Sequence, residues 1–137
     1  MCVTQHELLI CGGIRNRDCY SYHILTNEYK FICSYPSNIK LFGYCVVKLI
    51  DNKNSNEITL LSFDGFFKHT LIMKYVSAWD NDNEINKSKK SNNYNEWIHF
   101  TDNHNYPIQI GRDKDKYEGV RAMIGGSDNN LILVCLI

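Results

Sequence analysis

The sequence has no net charge of either sign, because fifteen Lys and Arg residues balance fifteen Asp and Glu residues. A neutral chain lacks the long-range positive field that non-specific binding to nucleic acid or to an acidic membrane surface requires, so neither is expected as a partner. Long hydrophobic runs are also missing. The longest, LILVCLI at 131–137, falls far short of the roughly 18 to 20 apolar residues of a membrane-spanning helix. The opening MCVTQHELLICGG has neither a basic leader nor an apolar stretch of signal-peptide length, so secretion is not expected and a soluble, cytoplasmic protein is. Six cysteines are present (Cys2, Cys11, Cys19, Cys33, Cys45, Cys135), but no two stand in a Cys-x-x-Cys arrangement. In a reducing compartment they are expected to be free thiols.

Helical periodicity is absent as well. No window sustains apolar residues at three-to-four spacing, and the one long uninterrupted segment, 80–93, contains only Ile85 as an apolar residue. What remains is ordinary globular composition, 44% hydrophobic and 22% charged, with aromatic residues at 12%. The apolar segments are short, rich in β-branched and aromatic residues, and bounded by Gly, Asn, Asp and Ser. Nine strands are predicted, at 7–11, 19–25, 29–35, 44–50, 57–63, 70–79, 96–100, 120–124 and 131–137. The turn clusters at 51–56 and 125–130 suit hairpins, because Asn, Asp and Gly accept positive φ. The fold class is therefore all-β, with antiparallel meanders.

A repeat runs through these strands. LLICGG (8–13) aligns with LLSFDG (60–65), and NEYKFI (27–32) aligns with NEWIHF (95–100). Once the polar stretch DNDNEINKSKKSNN (80–93) is set aside as an insertion, the two offsets agree to within a couple of residues. The interval from Gly13 to Tyr22 matches that from Gly65 to Tyr75 to within one residue. The interval from Tyr22 to Tyr29 matches that from Tyr75 to Trp97 without the insertion to within one residue as well. A third unit begins at VRAMIGGSDNNLILVC (120–135), which aligns with VVKLIDNKNSNEITLL (46–61) as a hairpin.

An apolar strand, a glycine pair, a spaced Tyr and a spaced Trp together resemble the Kelch repeat, whose period is about 50 residues. Unit one, about 2–40, supplies Gly12, Gly13 and Tyr22, with Tyr29 at the usual Trp position. Unit two, about 42–106 with the insertion 80–93, supplies Gly65, Tyr75 and Trp97 but has Asp64 for the first glycine. Unit three occupies about 118–137. The resemblance implies four-stranded antiparallel sheets packed as blades of an incomplete β-propeller, with the first strand of unit one missing and unit three ending after its second strand. It implies a protein–protein interaction module that presents inter-strand loops to a protein partner. Closed propellers need four to eight blades, so the chain is expected to belong to a longer propeller or to self-associate through exposed blade edges.

Side chains that carry chemistry are scattered. His6, His23, His69, His99 and His104 fall on separate strands or loops, and His99, Asp102 and His104 supply too few spaced ligands for a zinc site. Gly12-Gly13 lacks the Lys and helix of a phosphate-binding loop, and Cys11 and Cys33 read as core thiols within strands. No catalytic, metal or cofactor residue is assigned, and the chain is not expected to be an enzyme. The alternatives are a fragment of a propeller-fold oxidase or hydrolase, which the same architecture would allow, and an unrelated β-sandwich binding domain. Segment 80–93 is too polar to offset the entropy of ordering itself. Limited proteolysis should therefore cut first within it, and first cuts at Gly12-Gly13 or Gly65 would contradict this reading.

Overall fold

The computed structural model describes residue 3 and residues 5–13, 15–49, 58–80, 93–115, 118–125 and 131–135, the last of these by backbone alone. The described residues form nine β-strands and no helix: β1 (Glu7–Gly13), β2 (Asn16–His23), β3 (Glu28–Ser34), β4 (Cys45–Leu49), β5 (Ile58–Phe63), β6 (Thr70–Tyr75), β7 (Ile98–His99), β8 (Arg121–Gly125) and β9 (Leu131–Cys135). Each falls on a predicted segment. The turns expected at 51–56 and 126–130, and the insertion apart from its end residues 80 and 93, lie outside the described residues. No helix among the described residues is long and apolar enough to cross a membrane.

Pairing is antiparallel throughout the ladders, in three sheets: sheet I with order β1-β2-β3, sheet II with order β4-β5-β6-β7, and sheet III with β8-β9. Sheet II lies between the other two, and the period-two alternation of a strand explains how. Leu60, Leu71, Met73 and Tyr75 pack with Leu9 and Cys19 of sheet I, and the neighbouring Ser62 hydroxyl bonds that of Tyr35 at 3.0 Å. Cys45, Val47, Leu61 and Phe63 pack on the other side with Val120, Ala122 and Ile124 at the sheet III end. A strand buried on both faces needs apolar residues at successive positions, which is why ITLLSF reads as a continuous run.

The aligned hairpins share one register. Lys48↔Leu60 and Leu49↔Thr59 in sheet II correspond to Ala122↔Val134 and Met123↔Leu133 in sheet III. Sheets I and II correspond less simply. Leu8 pairs with Tyr22, whereas its counterpart Leu60 pairs with Met73, and Tyr75 lies two residues further on, opposite Ile58. Tyr22 and Tyr75 are thus not register equivalents as the spacing predicts. The slip between Cys11 and Gly13 displaces the sheet I register by one residue, and the Gly65–Tyr75 interval is one residue longer than Gly13–Tyr22, so Tyr75 lands two places beyond Met73. Tyr29 pairs with Tyr22 inside β3, whereas Trp97 directly precedes β7, whose Ile98 pairs with Ile72.

Two glycines bring segments closer than any side chain would allow. Gly12 sits at φ 63°, and a Cβ there would run into the Tyr44 hydroxyl, which donates to the Cys11 carbonyl. Gly43 sits at φ 64°, with a Cβ position only 2.7 Å from the Gly119 backbone nitrogen, so the entry to sheet III lies directly on the entry to β4. The ends of the insertion are held together by Asn95. Its backbone N–H donates to the Lys74 carbonyl at 2.8 Å, and its side chain both accepts from Val76 N–H at 2.9 Å and donates to Val76 O at 3.0 Å.

A buried carboxylate ties sheet I to sheet II. Glu7 of β1 is 5% exposed and accepts hydroxyl hydrogen bonds from Tyr75 at 2.6 Å, from Ser21 at 3.5 Å and from Ser77. Ser21 in turn accepts from the Trp79 indole N–H at 2.8 Å. Burial first, and then the bond to Glu7, push the Tyr75 phenol above its ordinary value, so it remains a donor at all physiological pH. Hydrogen bonds to charged groups are worth about 1.5–3 kcal/mol. Tyr75→Phe should therefore lower unfolding free energy by roughly that amount, about 1.5–3 kcal/mol, read as a shift in urea midpoint at unchanged slope.

Candidate protein-binding surface

At one end of sheet II the reversal between β5 and β6 is organised by Asp64, the residue that stands for the first glycine in the repeat pattern. Its carboxylate is 3% exposed and accepts three backbone N–H groups: Phe66 at 2.6 Å and Phe67 at 2.9 Å on one oxygen, and Phe42 at 2.9 Å on the other. An Asp that bonds the backbone two and three residues ahead builds an Asx-type turn, and the bond to Phe42 adds the β3–β4 connection to it. The adjoining Gly65 is buried in the same turn.

The three phenylalanines so positioned point to solvent. Phe42 is 57% exposed, and Phe66 and Phe67 are each 42% exposed. They touch as one cluster: the Phe66 and Phe67 rings meet edge to face at 4.8 Å, and Phe42 lies 5.6 Å from Phe66. The Lys40 ammonium stands 5.5 Å from the Phe67 ring centre, within cation–π range. Exposed aromatics on a loop tied to a buried scaffold are the kind of feature on which binding residues are carried. Sequence reasoning missed Phe42, Phe66, Phe67 and Lys40. The available signal was Phe-Phe directly after Asp-Gly, two large apolar residues where turn chemistry calls for polar ones.

A second exposed surface is the outer face of sheet I, which carries Tyr22 and Tyr29. Cys19 and Ser21 are buried towards sheet II, so alternation turns Tyr20 and Tyr22 the other way. There Tyr22 meets Tyr29 at 4.7 Å and Tyr20 meets Phe31 at 5.8 Å, with Ile10, Tyr29 and Phe31 exposed. Tyr75 and Trp97, by contrast, lie in the core between sheets I and II. Trp97 stacks on Tyr35 with ring centres 5.1 Å apart and an interplanar angle of 11°. In both sheets the Tyr-bearing face is the one turned away from the next sheet in the chain. The repeat residues thus do not converge on one site: Gly12 and Gly13 close β1, Asp64 and Gly65 build the loop, and the aromatics face sheet layers.

His99, Asp102 and His104 do not form a site. His99 lies on β7, and Asp102 is used locally, accepting backbone N–H bonds from His104 at 2.8 Å and Tyr106 at 3.0 Å. Among the described residues no three His, Cys, Asp or Glu side chains are grouped to hold a metal ion. No family model matches the chain, and neither a curated protein nor a solved structure matches it.

His69 closes the Asp64 turn, its carbonyl accepting the Asp64 N–H at 3.1 Å. Its imidazole is buried, and neither ring nitrogen has a hydrogen-bond partner among the described residues. Burial drives its pKa below the ordinary imidazole value, outweighing the nearby Asp64 charge. With the folded value below the unfolded one, the unfolded chain binds the proton more tightly. The contribution of His69 to stability is then intact above about pH 6.5 and is lost as pH falls below it. Urea midpoints should drop between pH 7.5 and pH 5, and His69→Phe should flatten that slope.

Proposed function

We propose that this chain is a protein-interaction module of Kelch-type propeller architecture, binding a protein partner through the loops at one end of its sheets. The observation that carries this reading is the Phe42, Phe66 and Phe67 cluster, exposed to solvent yet held by three backbone hydrogen bonds to buried Asp64. Anchors already fixed on a rigid scaffold lose little conformational entropy on binding, which favours recognition over chance exposure. The complementary partner presents an apolar pocket with an acidic rim to meet Lys40. Blade-like construction is supported by sheets stacked face to face, by the register shared between β4-β5 and β8-β9, and by Tyr-bearing faces that all turn the same way. The open aromatic face of sheet I supports self-association, or a further sheet, as the means of covering it. Free thiols at Cys11, Cys19, Cys33 and Cys45 suit a cytoplasmic setting.

The test is affinity capture followed by measured binding of the recovered partner. Replacing Phe42 and Phe66 together by Ser should weaken binding by roughly 30-fold or more, the size of a hot-spot loss, with thermal unfolding unchanged. A double replacement of Tyr29 and Phe31 by Ser on the sheet I face should leave that affinity intact. Retention of the partner by the phenylalanine variant would refute the loop reading.

A further inference from the structure

Three cysteines form a row across sheet I. Cys11 of β1 pairs directly with Cys19 of β2, and Cys19 pairs directly with Cys33 of β3, so all three side chains emerge on the face that meets sheet II. The row sits at irregularities in both ladders. Pairing slips beyond Cys11, and Tyr20↔Phe31 gives way to Cys19↔Cys33 with Ile32 inserted between. Such a bulge turns both Ile32 and Cys33 towards the interior, where both pack on the core.

Direct cross-strand partners stand about 4.5–5.5 Å apart at Cα, inside the window of about 4.4–6.8 Å that a disulfide spans. Cys19 therefore has a disulfide-competent neighbour on each side, while Cys11 and Cys33, separated by a strand, do not have each other. The Trp97 indole N–H donates to the Cys19 sulfur at 3.3 Å. Donation to a thiol sulfur from a buried indole favours its anionic form. A cleft of about 340 Å³, bordered by Leu9, Ile10, Cys11, Tyr44 and Val46, reaches the row at Cys11, while Cys19 itself is fully buried.

We propose that Cys19 is an oxidation site for hydrogen peroxide, resolved by Cys11 or Cys33 into a cross-strand disulfide. The Cys19 thiolate attacks one peroxide oxygen and the O–O bond breaks, giving a sulfenic acid and hydroxide, which takes up a proton to leave as water. The thiol of Cys11 or Cys33 then attacks the Cys19 sulfur, forming the S–S bond and expelling the second oxygen as water. Peroxide gains two electrons, and two thiols lose one each. The flanking Cys11 and Cys33 thiols, and then the Trp97 N–H, pull the Cys19 thiol below its ordinary value against the opposing effect of burial, while Cys11 and Cys33 are themselves pushed up.

Treating the full-length protein with hydrogen peroxide, alkylating the remaining thiols and mapping disulfides by mass spectrometry tests this. Each disulfide formed first should contain Cys19, joined to Cys11 or Cys33, and dithiothreitol should reverse it. Cys11→Ser should route the bond wholly to Cys33, and Cys19→Ser, an isosteric change, should abolish it. Between pH 6 and pH 8 the rate should rise clearly less than the roughly tenfold per unit of an ordinary thiol with pKa near 8.5. A first disulfide lacking Cys19, a Cys19 that stays reduced while Cys45 oxidises, or a tenfold-per-unit rise in rate would overturn the proposal.

Discussion

A carboxylate taken out of water costs several kcal/mol unless its oxygens are met by donors, and Glu7 is such a carboxylate. Its donors come from both sides of the sheet I–sheet II junction: Ser21 from β2, and Tyr75 and Ser77 from the end of β6. Apolar packing between two sheets tolerates sliding, because the attraction has no direction. Hydroxyls aimed at one buried anion do not. The offset that satisfies Glu7 is the one in which Leu9 and Met73 share a core and Tyr35 stacks on Trp97.

With that junction fixed, sheet II becomes the layer on which the rest is assembled. Its Leu60 and Leu61 point to opposite clusters, and the strand carrying them ends at Asp64, whose carboxylate sets the loop. One strand thus positions two cores and the exposed phenylalanines. The contact between Gly43 and Gly119 then brings β8 against β4 without an intervening side chain. The backbone under the exposed cluster is tied to a strand buried on both faces by a carboxylate and three N–H groups.

Strand positions were legible because burial writes itself into alternation and β-branched composition, and all nine segments, ELLIC through LILVCLI, were found that way. The register shared by 46–61 and 120–135 was legible too, since two similar hairpins pair alike. Tyr22 and Tyr75 show where counting fails: a slip in pairing between Cys11 and Gly13 enters the register without leaving a mark in the sequence. Glu7 was invisible because a buried acid looks like any other acid until its donors, up to 70 residues away along the chain, are seen together. Asp64 likewise read as a degenerate glycine, although its side chain organises the loop. The cysteine row was hidden by the same long-range pairing, since nothing in the spacing of Cys11, Cys19 and Cys33 announces a bulge that aligns them.

Among the described residues sheet I presents an exposed aromatic face, and Arg121 and Met123 of β8 are exposed on sheet III. An aromatic patch and a patch carrying a cation are chemically unlike. A two-fold dimer needs one patch that complements itself, whereas end-to-end joining of unlike patches is heterologous and repeats at every copy. Whether such joining stops depends only on the rotation from one copy to the next. A rotation that divides a full turn gives a closed ring with every end buried, and any other gives an open fibre.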